Sequence, residues 1–216
     1  MRAVARLSLL LTLPLGVAAK EVPFALVDPT APDVAAVREA GQLATGAIAT
    51  KLLAELTVAL ANGNPAAAVE VCHLKALPTT AQKLADLPAV TTVKRTSLRL
   101  RNPANAPDAA EQQVLDHVAQ LLAQGEEMPP VLVQRIGAAA SPTAWRVYRP
   151  IVVQETCLAC HGERTAQSPA LRAALLSRYP RDAALGYRAG EWRGLIGATI
   201  AADPAEHTAR PPAPRQ

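Results

Sequence analysis

The residues Ala89-Val90-Thr91-Thr92-Val93-Lys94-Arg95-Thr96-Ser97-Leu98-Arg99-Leu100-Arg101, followed by Asn102-Pro103-Ala104-Asn105-Ala106-Pro107-Asp108, decide the fold class. The first run is rich in β-branched residues and alternates towards its end, which predicts a strand. Two prolines and two asparagines then make a structured turn. Asp108 is placed to cap a helix, and Glu111, three residues on, completes a capping box. The helix is expected to run to about Ala123, with Leu115, Val118, Leu121 and Leu122 inward, His117 nearby and Gly125 at its end.

Working outward gives the other elements. Upstream, Pro32-Asp33 opens a long helix, with Asp33 as its cap. Its apolar face is Val34, Val37, Leu43, Ala47, Ile48, Leu52, Leu56 and Leu60, and Asn62-Gly63-Asn64-Pro65 ends it. A short helix from Pro65 to about Leu74 carries Val71-Cys72-His73, and another runs from Thr79 or Thr80 to about Leu87. Downstream, Val131 to Ile136 and Thr143 to Val153 form a hairpin across a turn at Gly137 to Pro142. Pro169 to Tyr179 is a helix and Arg193 to Ile200 the last strand. Helices come first and strands follow with helices between them, an α+β pattern with one antiparallel sheet.

The ends are different in kind. Residues 1–19 read as a signal peptide: Arg2 and Arg6 are its basic region, Leu7 to Val17 its apolar run, and Val17-Ala18-Ala19 its cleavage site. Residues 20–32, with three prolines, read as a linker. Residues 33–202 form the domain, and the Pro- and Ala-rich residues 203–216 a disordered tail. The leader predicts export to the periplasm. No later segment is expected to span a membrane.

Within the domain lies Cys157-Leu158-Ala159-Cys160-His161-Gly162. Two cysteines with two residues between them and a histidine directly after are the c-type haem attachment pattern. Each thiol adds to one vinyl group of the porphyrin, and the imidazole of His161 can then rise under the iron as proximal ligand. One covalent haem c is expected. It would supply the large flat apolar body that a chain with one Phe, three Tyr and two Trp otherwise lacks. A Cys157–Cys160 disulfide, or a zinc site using Cys72, Cys157, Cys160 and His161, is the blander reading.

Composition excludes one class of partner. There are 22 Lys+Arg against 18 Asp+Glu, and loss of Arg2 and Arg6 with the leader leaves 20 against 18, with no basic block. Nucleic-acid binding needs a clustered basic surface, so none is expected.

The residues left for a second axial ligand are Cys72, His73, His117 and Met128, since His207 is in the tail. Cys72 and His73 are neighbours on one helix and point about 100° apart, so only one can face the iron. Position alone does not choose between them.

Several stretches taken together resemble a known family. They are Glu70-Val71-Cys72, Arg95 through Asp108, Tyr148-Arg149-Pro150-Ile151, the haem motif, Tyr179-Pro180, and Gly186-Tyr187 through Arg193-Gly194. In this order, over about residues 35–200, they resemble the PAS-like c-type haem domains of cyanobacterial cytochromes and periplasmic sensor proteins. The resemblance implies a PAS-like antiparallel sheet flanked by helices, which the long N-terminal helix read above would precede. It implies His/Cys ligation, with His161 proximal and Cys72 distal. It makes Arg95, Arg99 and Arg101 candidates to meet the haem propionates or to hold the Asn-Pro loop. Ala110 departs from the bulky aromatic expected of many relatives.

Thiolate donation favours ferric iron, so the expected role is low-potential electron transfer with a redox partner protein. The alternative is a redox or gas sensor module that acts through a separate signalling partner. An enzyme such as a peroxidase needs an open iron position and distal acid–base groups, which six-coordinate iron does not offer, so no enzymatic activity is expected. Homodimerisation is left open by the sequence.

Overall fold

The computed structural model describes residues 23–61, 68–69, 87, 89–138 and 142–202. Five strands form one antiparallel sheet: β1 (Phe24–Val27), β2 (Val90–Thr96), β3 (Leu132–Gly137), β4 (Pro142–Val152) and β5 (Trp192–Ala201). Their order across the sheet is β1-β3-β4-β5-β2. The hairpin β3–β4 pairs Val133 with Val147 and Leu132 with Tyr148. β5 then lies between β4 and β2, pairing Ala198 with both Val147 and Val93.

Alternation along the strands divides the side chains between two faces. Val133, Val147, Ala198 and Ile200 turn to one face, where Val34 and Ala44 complete a buried cluster. Leu132, Tyr148 and Leu195 turn to the other and meet Val114, Leu115 and Val118. The first face is covered by α1 (Ala35–Ala61) and the second by α2 (Ala109–Ala123). This is the α+β, PAS-like arrangement with a long leading helix that the sequence predicts.

The start of α2 follows from its first four residues. The Asp108 side chain accepts from the Glu111 backbone N–H at 2.8 Å, and Glu111 Oε2 accepts from the Asp108 N–H at 2.9 Å. The capping box is therefore complete. Glu111 is buried, and Lys94 of β2 reaches it at 2.6 Å, which ties helix to sheet. Under the helix, the buried Tyr148 hydroxyl donates to Gln134 Oε1 at 2.8 Å. Gln134 Nε2 donates in turn to the Ala110 carbonyl and to Gln113 Oε1, each at 2.9 Å. Tyr148→Phe removes one donor and leaves a buried amide oxygen unsatisfied. Chemical denaturation should show a loss of about 1–2 kcal/mol.

Four expectations are corrected. Phe24–Val27, read as part of a linker, is an edge strand on β3, with Leu26 opposite Gln134. Four residues between prolines carry too little pattern to show this, and the pairing comes from the neighbouring strand. At the N-terminus of the long helix, Asp33 sits inside a 3-10 turn, Pro32–Val34, and its side chain makes no cap. On α1 itself the face against the sheet is Gly41, Ala44, Thr45 and Ile48, while Leu43 is 58% exposed. Pro32–Ala61 is also long and apolar enough to cross a membrane by length and composition, contrary to the expectation that no later segment is; its many Ala and Leu and few charges account for that. Here its first half packs on the sheet. The two short helices expected between residues 65 and 87 lie, but for residues 68–69 and 87, outside the described residues, as do the leader and the tail.

Candidate cofactor site

β4 ends at Val152, and the next residue is fastened by a turn before β5. Val153 N–H donates to the Glu191 carbonyl at 2.9 Å, and Gly190 N–H to the Val153 carbonyl at 2.8 Å. The chain then makes a 3-10 turn, Glu155–Cys157, and one helical turn, α3 (Leu158–His161). The three-residue spacing puts Cys157 and Cys160 on the same side of this turn. Cys157 packs against Val153, Ala184 and Tyr187. Cys160 packs against Leu171 and Leu175 of α4 (Pro169–Arg178), Tyr179 just after it, and Val69. The two sulfurs are not joined to each other. Gly162 closes the turn; a Cβ there would lie 2.7 Å from the Leu158 carbonyl oxygen.

His161 is braced by residues 182–187, which run beside the turn. Tyr187 N–H donates to the His161 carbonyl at 2.9 Å and Gly186 N–H to the Gly162 carbonyl at 2.9 Å. The side chain is fixed as well: Nδ1 lies 2.8 Å from the Ala184 carbonyl oxygen. A carbonyl can only accept, so Nδ1 carries the hydrogen and Nε2 keeps its lone pair. Nε2 has no hydrogen bond among the described residues. Burial pushes the imidazole pKa down to about 3, Arg101, Arg193 and Arg95 push the same way, and the Ala184 carbonyl opposes them. The ring is therefore neutral, the form that binds a metal. Tyr187 stands edge-on to it, with centroids 6.2 Å apart.

Cys157 and His161 open into one cleft with about 820 Å³ of space not filled by protein, part of it continuous with solvent. Its apolar wall includes Leu100, Ile151, Val153 and Tyr179. Arg95, Arg101 and Arg193 supply the positive charge. This donor set fits the haem predicted from the motif: two thiols in one turn, a neutral imidazole with Nε2 unused, an apolar wall for the macrocycle, and cations for two carboxylates.

The predicted site residues are thus placed unevenly. Cys157, His161, Arg95 and Arg101 line the cleft, and Cys160 lies beside it. Arg99 does not line it. Its guanidinium lies 4.0 Å over the Tyr187 ring, and its Nε donates to the Ala183 carbonyl at 3.3 Å. Arg101 lines the cleft but is engaged within the protein: Nε pairs with Asp182 at 2.9 Å. The resemblance makes both candidates for the propionates or for holding the Asn-Pro loop; of the two, Arg101 lines the cleft and Arg99 does not. Of the alternative ligands, His117 is exposed on α2 and Met128 packs against the Val114 cluster, so neither lines the cleft. Cys72 and His73 lie outside the described residues.

Arg193 is not among the residues that the sequence singles out, yet it lines the cleft. Its guanidinium donates to Ser97 Oγ at 2.5 Å and to the Arg99 carbonyl at 3.0 Å, and burial lowers its pKa. Sequence reasoning also passes over Asp182 and Ala184. Arg193-Gly194 falls within a stretch that carries the family resemblance, which is the available signal. Nothing local marks Asp182, whose role depends on a residue 81 positions away.

The family described as Tll0287-like matches residues 33–201. Among solved structures, the chain is similar to the cyanobacterial haem protein Tll0287, at 28% identity over 58% of this chain and 69% of that one, with a TM-score of 0.45. No curated protein matches.

Proposed function

The chain belongs to the Tll0287-like family, and from that premise we propose that it is an exported c-type haem protein that transfers electrons at low potential. One observation carries the reading: His161, directly after the cysteine pair, has Nδ1 engaged by the Ala184 carbonyl and Nε2 left for a metal. A Tll0287-like relative is itself a haem protein.

When bound, the haem supplies a one-electron iron couple and the protein supplies position and field. Cys157 and Cys160 would hold the group through thioether bonds. His161, oriented by the Ala184 carbonyl, would bind its iron through Nε2. The apolar wall would exclude water from it, and Arg95 and Arg193 would meet its carboxylates. Cys72 is the second ligand on the strength of the family resemblance, and its thiolate favours the ferric state. The protein works in the periplasm, where covalent attachment occurs, and passes electrons to a separate redox partner.

The test is the absorption spectrum of periplasmically matured protein, oxidised and reduced, beside Cys72→Ala. A c-type spectrum that shifts on loss of Cys72 is the expected result, with the potential rising as the thiolate is lost. A c-type spectrum unchanged in both oxidation states would move the second ligand elsewhere and remove the basis for low potential. No haem spectrum at all would overturn the proposal.

A further inference from the structure

Arg101 is almost fully withdrawn from solvent, with its side chain 13% exposed and that of its partner Asp182 4% exposed. A guanidinium is a planar fork with five donors, able to hold several acceptors in fixed relation. Here the fork spans three segments. Nε donates to Asp182 Oδ2 at 2.9 Å. Nη2 donates to the Cys160 carbonyl at 2.6 Å and to the Ala184 carbonyl at 3.3 Å. Asp182 closes the ring, because its Oδ1 accepts the Ala184 N–H at 2.9 Å. Next to it, Ala183 N–H donates to the Leu100 carbonyl at 2.8 Å.

The Ala184 carbonyl therefore has two donors, Arg101 and His161 Nδ1. We infer that Arg101 is a positioning residue for the axial histidine: with Asp182 it sets the orientation of the Ala184 carbonyl, and through it the plane of the His161 ring and the donor strength of Nε2. This rests on the haem reading above. Two consequences follow. The ring is held in a single orientation. The Nη2 hydrogen bond also draws electron density from the carbonyl, which weakens the carbonyl's bond to Nδ1–H and makes Nε2 a poorer donor than a carbonyl without that hydrogen bond would. A donor weakened in this way favours the reduced iron.

Lysine at this position keeps the charge but loses the fork. The experiment compares matured wild type with Arg101→Lys. Mass and pyridine haemochrome assays give covalent haem content, circular dichroism gives folding, and the ferric protein is examined by electron paramagnetic resonance and redox titration. At equal haem content, the variant should show g values that broaden or split into more than one set. Its midpoint should move so that, at a fixed solution potential, the ferric-to-ferrous ratio rises by about tenfold, the scale of one charge-assisted hydrogen bond. Wild-type g values and midpoint in a folded, haem-loaded variant would overturn the inference and leave the haem reading intact. A wild type with no covalent haem would overturn both. Should Arg101→Lys not fold, Asp182→Asn is read in the same way. Asparagine keeps the volume but cannot accept from both Arg101 and Ala184 N–H through two oxygens, so the same broadening or splitting of the g values is expected, and its absence overturns the inference.

Discussion

Gly41→Ala should destabilise the domain by about 3 kcal/mol, the upper end of the usual cost of overpacking. The reason is a single close approach. A Cβ at position 41 would lie 2.2 Å from Val147 Cβ, 2.5 Å from its Cγ2 and 2.7 Å from its Cγ1. Carbon atoms sit comfortably at about 3.5–4.0 Å. The atoms in the way belong to a side chain branched at Cβ, fully buried in the central strand β4, so no flexible tip can swing aside. One effect opposes the clash: alanine favours helix over glycine by about 1 kcal/mol. The overlap outweighs that preference, because relieving it means lifting α1 from the face that Val147, Val133 and Ala198 share. At about 2–4 °C per kcal/mol for a domain of this size, the midpoint of thermal unfolding should fall by roughly 6–12 °C. The double variant Gly41→Ala with Val147→Gly should regain part of the loss relative to Val147→Gly alone, since only glycine at 147 removes the Cβ that the new methyl meets. A Gly41→Ala protein as stable as wild type would mean that helix and sheet do not meet at this point.

Changing both Cys157 and Cys160 to serine should abolish covalent haem altogether. A thioether needs sulfur, and the chain's third cysteine, Cys72, stands outside the attachment motif. Single variants test the geometry. The two sulfurs sit in separate small clusters, Cys157 with Val153, Ala184 and Tyr187, and Cys160 with Leu171, Leu175 and Tyr179. Each single serine variant should therefore retain one bond, with lower haem yield and a reduced-state absorption maximum shifted to longer wavelength by the remaining vinyl group. Denaturing mass spectrometry checks the first result, and the reduced spectrum checks the second. Haem retained through denaturation in the double variant would show that the group is held by some other bond, and the assignment of the motif would fail.

How legible these features are in the sequence depends on how local their causes are. The capping box at Asp108 and Glu111 involves residues three apart, and it is present atom for atom. The hairpin β3–β4 and the strand β5 carry strong β patterns, and their alternation survives in the two buried faces. The α1 face departs from its sequence pattern because apolar size and burial part company there. Close helix–sheet contact selects Gly41 and Ala44 and leaves Leu43 outside. At the site, the Cys157, Cys160 and His161 pattern is contiguous and readable. The brace at residues 182–187 is not, since it consists of backbone carbonyls and one ion pair formed only after the chain has folded back. The arginines show both cases. Their charge is visible in sequence, but which of them faces the cleft, lies over Tyr187 or is bound by Asp182 is decided by tertiary structure.

The sheet order gives the chain a timetable. β5, the last of the described strands, lies between β4 and β2, and among the described residues β2 pairs only with it. A chain that emerges N-terminus first thus holds β2 without a partner until its final strand arrives, and such long-range pairing is slow to form. Cys157 and Cys160 precede β5, as does the 182–187 segment that locks their turn. The two thiols are in the chain, and reachable, during the interval before the sheet shuts. Anything to be bonded to them can meet them in that interval, before the sheet is complete.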